Sequence, residues 1–141
     1  MSSVSKILQS KPRGVISVAS TTSVLDALHI MASRNIGSVV VMDDGAYLGI
    51  LTERDYARKV ILQDKHSSET VAGEIMSTNL PRVKPSDSHE SCMSIMDEHN
   101  VRYLPVFEDG VLIGIISLID LIRATVEIGR ASCRERVCLA V

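Results

Sequence analysis

Aromatic residues are almost missing from this chain: one Phe, three Tyr and no Trp among 141 residues. A core without large rings must be aliphatic, and Val, Ile, Leu and Met supply it within an apolar fraction of 45%. Cysteine is also scarce. Cys92, Cys133 and Cys138 form no CxxC pair, and His29, His66, His89 and His99 show no HxxH or HxxxH spacing. No metal site is expected from them. Cys92 lies in an apolar helical pattern and reads as a small core residue. Positive charge is not in excess, with 15 basic against 17 acidic residues and a net charge of −2. There is thus no basic field for nucleic acid. No apolar run approaches the roughly 20 residues of a membrane helix. The stretch from Met1 to Lys6 lacks the apolar core of a secretory signal. These absences point to a soluble cytoplasmic protein, or an organellar one if a targeting segment has been removed. There is no nucleophile elbow, no metal cluster and no pair of catalytic carboxylates in one copy of the repeat described next, so no enzyme is expected.

What the chain does have is a repeat. At an offset of 65 residues Ser23 meets Ser88, Met31 meets Met96, and Asn35 meets Asn100. Val41 then meets Val106, Asp44-Gly45 meets Asp109-Gly110, Gly49 meets Gly114, and Asp55 meets Asp120. One supersecondary unit is used twice. Residues 3–69 form the first repeat with a short helical lead-in at 3–10, and residues 70–126 form the second with its lead-in at 70–77.

Within each repeat the pattern predicts strand, helix, strand, strand, helix. Ile16-Ser17-Val18 and Arg82-Val83-Lys84 read as short strands. Val24, Ala27, Leu28 and Met31 follow the 3.6-residue period of an amphipathic helix, as do Cys92, Ile95 and Met96. Asn35 and Asn100 stop these helices, because Asn tolerates the left-handed conformation. Hairpins follow, turning at Asp43-Asp44-Gly45 and Glu108-Asp109-Gly110. Pro105 cannot donate to a ladder, so its nitrogen must face an edge or a cavity. Each repeat closes with a helix, Thr52 to about Leu62 and Ser117 to about Val126. The expected fold is α/β (α+β): two β-α-β-β-α repeats related by a pseudo-twofold, with their sheets packed face to face. The seam would hold two clefts. Residues 127–141 break the repeat and read as a tail foreign to the natural protein.

The chemistry concentrates in Gly49-Ile50-Leu51-Thr52-Glu53-Arg54-Asp55 and its echo Gly114-Ile115-Ile116-Ser117-Leu118-Ile119-Asp120. Each is a strand that ends where a helix begins, with the hydroxyl at the N-cap and the aspartate three residues on. Thr-x-x-Asp is close to a capping box, which is its bland reading. The same geometry makes an anion site from free N–H groups, a hydroxyl and the helix dipole. A carboxylate beside it repels phosphate but accepts two hydrogen bonds from a vicinal diol. Phosphate on the helix end and a diol on the aspartate describe a ribonucleotide.

These residues carry a family resemblance. Asn35-Ile36-Gly37-Ser38-Val39-Val40-Val41, Thr52-Glu53-Arg54-Asp55-Tyr56-Ala57-Arg58-Lys59, Val101-Arg102-Tyr103-Leu104-Pro105-Val106 and the second Gly-to-Asp stretch resemble a tandem pair of CBS domains. That module is named for cystathionine β-synthase, and the resemblance covers about residues 3–126. It is closest in character to small stand-alone CBS pairs of bacteria and plant organelles.

The resemblance implies a regulatory, signal-transducing module that binds an adenine nucleotide such as AMP, ATP or NAD(H) in the clefts between repeats. Asp55 and Asp120 would hold ribose hydroxyls, and Thr52 and Ser117 the phosphate. Gly37, Ser38, Arg102 and Tyr103 would line the base and phosphate side. Arg54 could clamp phosphate in the first copy, where the second has Ile119. Arg102 in turn replaces Gly37. Family members of this type often carry His where Tyr103 stands. The resemblance also implies a homodimer, a four-repeat disc. The rival reading is a ligand-independent scaffold that regulates a partner enzyme such as a redox protein.

Overall fold

The computed structural model of the protein describes residues 3–11 and 14–135. The elements, in order, are α1 (Val4–Gln9), β1 (Ser17–Val18), α2 (Val24–Arg34), β2 (Ser38–Asp43), β3 (Ala46–Thr52) and α3 (Glu53–Tyr56). A π-helical turn, Ala57–Ile61, continues α3. Then come α4 (Ala72–Ile75), α5 (His89–His99), β4 (Tyr103–Glu108), β5 (Val111–Ser117) and α6 (Leu118–Glu135). The helix–hairpin–helix core appears twice, and α2 and α5 are capped alike at both ends. Ser23 and Ser88 accept from the backbone N–H groups of Asp26 and Ser91, both at 3.1 Å. Asn35 and Asn100 end α2 and α5 with φ of 53° and 54°.

The chain divides into two compact units, one of residues 15–79 and one of residues 1–14 with 80–141. This differs from the division at residue 69/70 read from the repeat. The lead-in α1 packs with the second repeat, and the lead-in α4 with the first. Val4 and Ile7 of α1 are buried with Val83, Cys92, Met96, Leu104, Val106, Ile116 and Leu121. Ala72 and Ile75 of α4 are buried with Val18, Val24, Ala27, Met31, Val39, Val41, Leu51 and Val60. Each lead-in thus closes the core of the other repeat. A periodicity argument could not see this, because sequence offset carries no information about which unit a short helix joins.

In the unit of residues 15–79 the sheet order is β1-β2-β3, with β1 parallel to β2 and β2 antiparallel to β3. After α4 the chain adds a bridge to the free edge of β3, where Ile50 and Ser77 exchange hydrogen bonds of 3.0 and 2.8 Å. In the other unit β4 and β5 pair alone, and the expected strand at Arg82–Lys84 shrinks to one parallel bridge, Val83 to Val106. Pro105 explains the loss. Its counterpart Val40 donates to the Ile16 carbonyl at 3.0 Å, and proline has no N–H to make that bond. The bridge that survives skips the missing donor: Val83 donates to the Pro105 carbonyl and accepts from Phe107 N–H.

The hairpins repeat in detail. A register shift falls between Val41 and Met42 and again between Val106 and Phe107. Both turns put their Asp and Gly at positive φ, 50° and 79° at Asp44-Gly45 and 52° and 77° at Asp109-Gly110. That is the twist-matched two-residue turn. The predicted end of the last helix near Val126 is corrected, since α6 continues to Glu135. Residues 136–141 of the suspected foreign tail lie outside the described residues.

Candidate functional site

At the C-terminal end of β3 the backbone leaves the extended region at Thr52 and turns into α3. The Thr52 hydroxyl accepts from Asp55 N–H at 3.0 Å, and Asp55 Oδ2 accepts from Thr52 N–H at 3.0 Å. This is the reciprocal capping box. It uses one carboxylate oxygen. The other, Oδ1, accepts from the Ser77 hydroxyl at 2.9 Å and faces the Lys59 ammonium at 3.0 Å. Lys59 also donates to the Ile75 carbonyl at 2.9 Å. Asp55 is only 6% exposed, so its carboxylate is a buried group held by the cap, by Ser77 and by Lys59.

Gly37 and Ser38 arrive at the same corner. Ser38 is the register partner of Thr52, and the Gly37 carbonyl accepts from Glu53 N–H at 3.1 Å. The fold therefore gathers Gly37, Ser38, Thr52 and Asp55 around one strand-to-helix junction. Arg54 lies on the first turn of that helix and is half-buried.

The other unit repeats the plan. Tyr103 is the register partner of Ser117, and the Arg102 carbonyl accepts from Leu118 N–H at 2.8 Å. Asp120 Oδ2 accepts from Ser117 N–H at 2.9 Å, while Asp120 N–H donates to the Ser117 hydroxyl at 3.1 Å. Asp120 is 8% exposed. Here the lysine lies just after the first lead-in: Lys11 donates to Asp120 Oδ2 and to the Ile115 carbonyl, both at 2.8 Å. Ile119, at the place of Arg54, is exposed.

Three residues at these junctions escaped the sequence reading: Ser77, Lys59 and Lys11. Lys59 had a signal, because it stands four residues after Asp55 on one helix face. Ser77 and Lys11 had none, since Ser77 ends one lead-in segment, Lys11 follows the other, and each reaches a carboxylate far away along the chain. Lys11 also borders a cleft of about 490 Å³ with Leu8, Gln9, Pro85 and Ile113, and Ser117 and Asp120 do not line it. Among the described residues no three His, Cys, Asp or Glu side chains converge on a point. Among them, too, no helix is long and apolar enough to cross a membrane.

The family model for the CBS domain matches residues 4–62 and again residues 72–127. The chain belongs to the CBS-domain family. Its relatives include the mitochondrial CBS domain-containing protein CBSX3 of Arabidopsis thaliana, 38% identical over 74% of this chain and 53% of that protein. This CBS pair therefore spans about half the length of that relative. Another is the CBS domain-containing protein YhcV of Bacillus subtilis, 33% identical over 76% of each chain. Among solved structures, a candidate signal-transduction protein with CBS domains from Burkholderia ambifaria MC40-6 is 43% identical. It superposes with a TM-score of 0.86 over 89% of this chain and 95% of its own. The CBS family is generally regulatory, and the two matched segments coincide with the two copies of the repeat.

Proposed function

We propose that this CBS pair is a regulatory module that binds an adenine nucleotide, AMP, ATP or NAD(H), at its two strand-to-helix junctions. One observation carries the reading. The buried carboxylate of Asp55 already accepts a hydrogen bond from an alcohol, the Ser77 hydroxyl at 2.9 Å. A ribose hydroxyl is the same donor, and the exchange leaves the capping bonds on Oδ2 untouched. Thr52 and Ser117 stand beside the acids for phosphate, Gly37 and Ser38 or Arg102 and Tyr103 for the base, and Arg54 for a further phosphate contact. No catalytic step is assigned. A nucleotide that prefers one arrangement of the packed elements shifts the population toward it, which is how binding becomes regulation. The assembly that fits is a homodimer of CBS pairs.

Calorimetric titration with AMP, ATP and NADH tests the reading. Each charge-assisted hydrogen bond contributes roughly 1.5–3 kcal/mol, so Asp55→Asn and Asp120→Asn should each weaken their site roughly 10- to 150-fold. Unchanged affinity in both variants would remove the ribose role. No binding to the unmodified protein would leave the scaffold reading in its place.

A further inference from the structure

We propose that the two junctions are unequal: Asp120 stands open to a ribose diol, while Ser77 is a built-in competitor that keeps Asp55 closed. The inference rests on the nucleotide reading and names the order in which its sites fill. A carboxylate has about four acceptor positions, shared equally by its two oxygens. On Asp55 every one is taken. Oδ2 accepts from the Thr52 N–H and from the Thr52 hydroxyl, both at 3.0 Å. Oδ1 accepts from the Ser77 hydroxyl at 2.9 Å and meets the Lys59 ammonium at 3.0 Å. On Asp120 the Ser117 N–H and the Lys11 ammonium both use Oδ2. Its Oδ1 has no partner among the described residues. The duplication supplies no second competitor. At the repeat offset the counterpart of Ser77 is Pro12, which has no hydroxyl, and that of Lys59 is Ala124.

This difference decides what each acid can accept. A vicinal diol brings two O–H donors. Asp120 Oδ1 can receive them while the cap and the lysine stay in place. Asp55 must first release a donor, and Ser77 is the one able to leave. Thr52 is fixed as the N-cap of the helix that carries the acid, and Lys59 is a charged partner anchored also on the Ile75 carbonyl. The Ser77 hydroxyl is neutral, and its bond to the carboxylate is governed by one side-chain torsion. Its main chain stays paired with Ile50 at the edge of β3 whichever way the hydroxyl points. Filling the Asp55 junction therefore sacrifices the Ser77 contact, and filling the Asp120 junction sacrifices none.

Calorimetric titration of the full chain with AMP and with its 2′,3′-dideoxy analogue is the test. Asp55→Asn leaves the Asp120 junction to be read alone, and Asp120→Asn leaves the Asp55 junction. AMP should bind the Asp55→Asn protein about tenfold more tightly than the Asp120→Asn protein. Adding Ser77→Ala to Asp120→Asn should tighten AMP about tenfold. The same change should leave the dideoxy analogue unaffected, because that compound has no ribose hydroxyl to place on the freed oxygen. Ser77→Thr, which keeps the hydroxyl, should give no gain. Ser77→Gly repeats the measurement should the alanine variant melt early. A gain shared by the dideoxy analogue would assign Ser77 to packing alone and overturn the proposal. Equal or reversed AMP affinities at the two junctions, or no gain on removing the Ser77 hydroxyl, also overturn it while leaving the nucleotide reading intact. Failure of AMP to bind the unmodified protein overturns the two together.

Discussion

The carbonyl oxygen of Ser77 lies so close over Gly49 that a Cβ added there would come within 2.5 Å of it. The glycine that opens the repeated motif is therefore a packing requirement. It lets the segment after α4 reach the edge of β3, and that segment delivers Ser77 to Asp55. Gly114 has the matching role beneath α1, where a Cβ would meet Leu8 Cδ2 at 2.7 Å. The obstacle is main chain in one unit and the end of a flexible side chain in the other. Gly49→Ala should cost about 1–3 kcal/mol and Gly114→Ala clearly less. Urea denaturation of the two variants checks the order, and equal losses would contradict it.

Thr52→Ala and Ser117→Ala remove the hydroxyl caps of α3 and α6. Each should lower stability by about 1 kcal/mol. The same measurement on Ser23→Ala and Ser88→Ala provides a scale, since those caps have no carboxylate partner of the same kind. A loss at Thr52 or Ser117 no larger than at an exposed serine would mean that water replaces the cap.

Pro105 can be tested through the bond it lacks. Pro105→Val restores an N–H where Val40 in the other unit donates to Ile16. A slowly exchanging amide should appear at residue 105, read by hydrogen exchange with NMR detection. The net change in stability should stay within about 1 kcal/mol, because the new hydrogen bond is offset by greater freedom in the unfolded chain. A fast-exchanging amide at 105 would show that more than the missing donor truncates the strand.

Burial pushes the Cys92 thiol up to about 11, with a smaller contribution from the Asp87 charge. At pH 8 roughly one molecule in a thousand would carry the reactive thiolate there. Alkylation in native buffer followed by peptide mapping should leave Cys92 unmodified, and denaturant should expose it. Rapid native labelling at Cys92 would contradict its place in the core.

The Ser20 hydroxyl and, to a smaller degree, Ser20 N–H hold the Asp43 carboxyl below its ordinary value against weak desolvation. A carboxylate with a lowered folded pKa contributes stability that is present above its unfolded pKa. That stability is lost as the pH falls toward the folded value. The stability gap between the unmodified protein and Asp43→Asn should therefore be wider at pH 6 than at pH 3. A gap independent of pH would remove the charge from the account.

The sequence alone determined the duplicated unit, its hairpins and its helix ends. Those features rest on local rules that each residue obeys within a few positions: Asn35 and Asn100 in the left-handed region, Asp-Gly in the tight turns, and a hydroxyl before the helix. The same rules picked out Thr52, Asp55, Ser117 and Asp120 as a repeated junction. Tertiary structure decided which lead-in segment joins which core, and through that the partners of both buried acids. Ser77 lies 22 residues from Asp55, and Lys11 lies 109 residues from Asp120. Contacts at such separations follow from where whole elements pack, and no local pattern encodes them. Lys59 lies within local reach of Asp55, four residues on along one helix, but only the packed fold could bring Lys11 to Asp120, because that ammonium must find its carboxylate in space rather than along the chain.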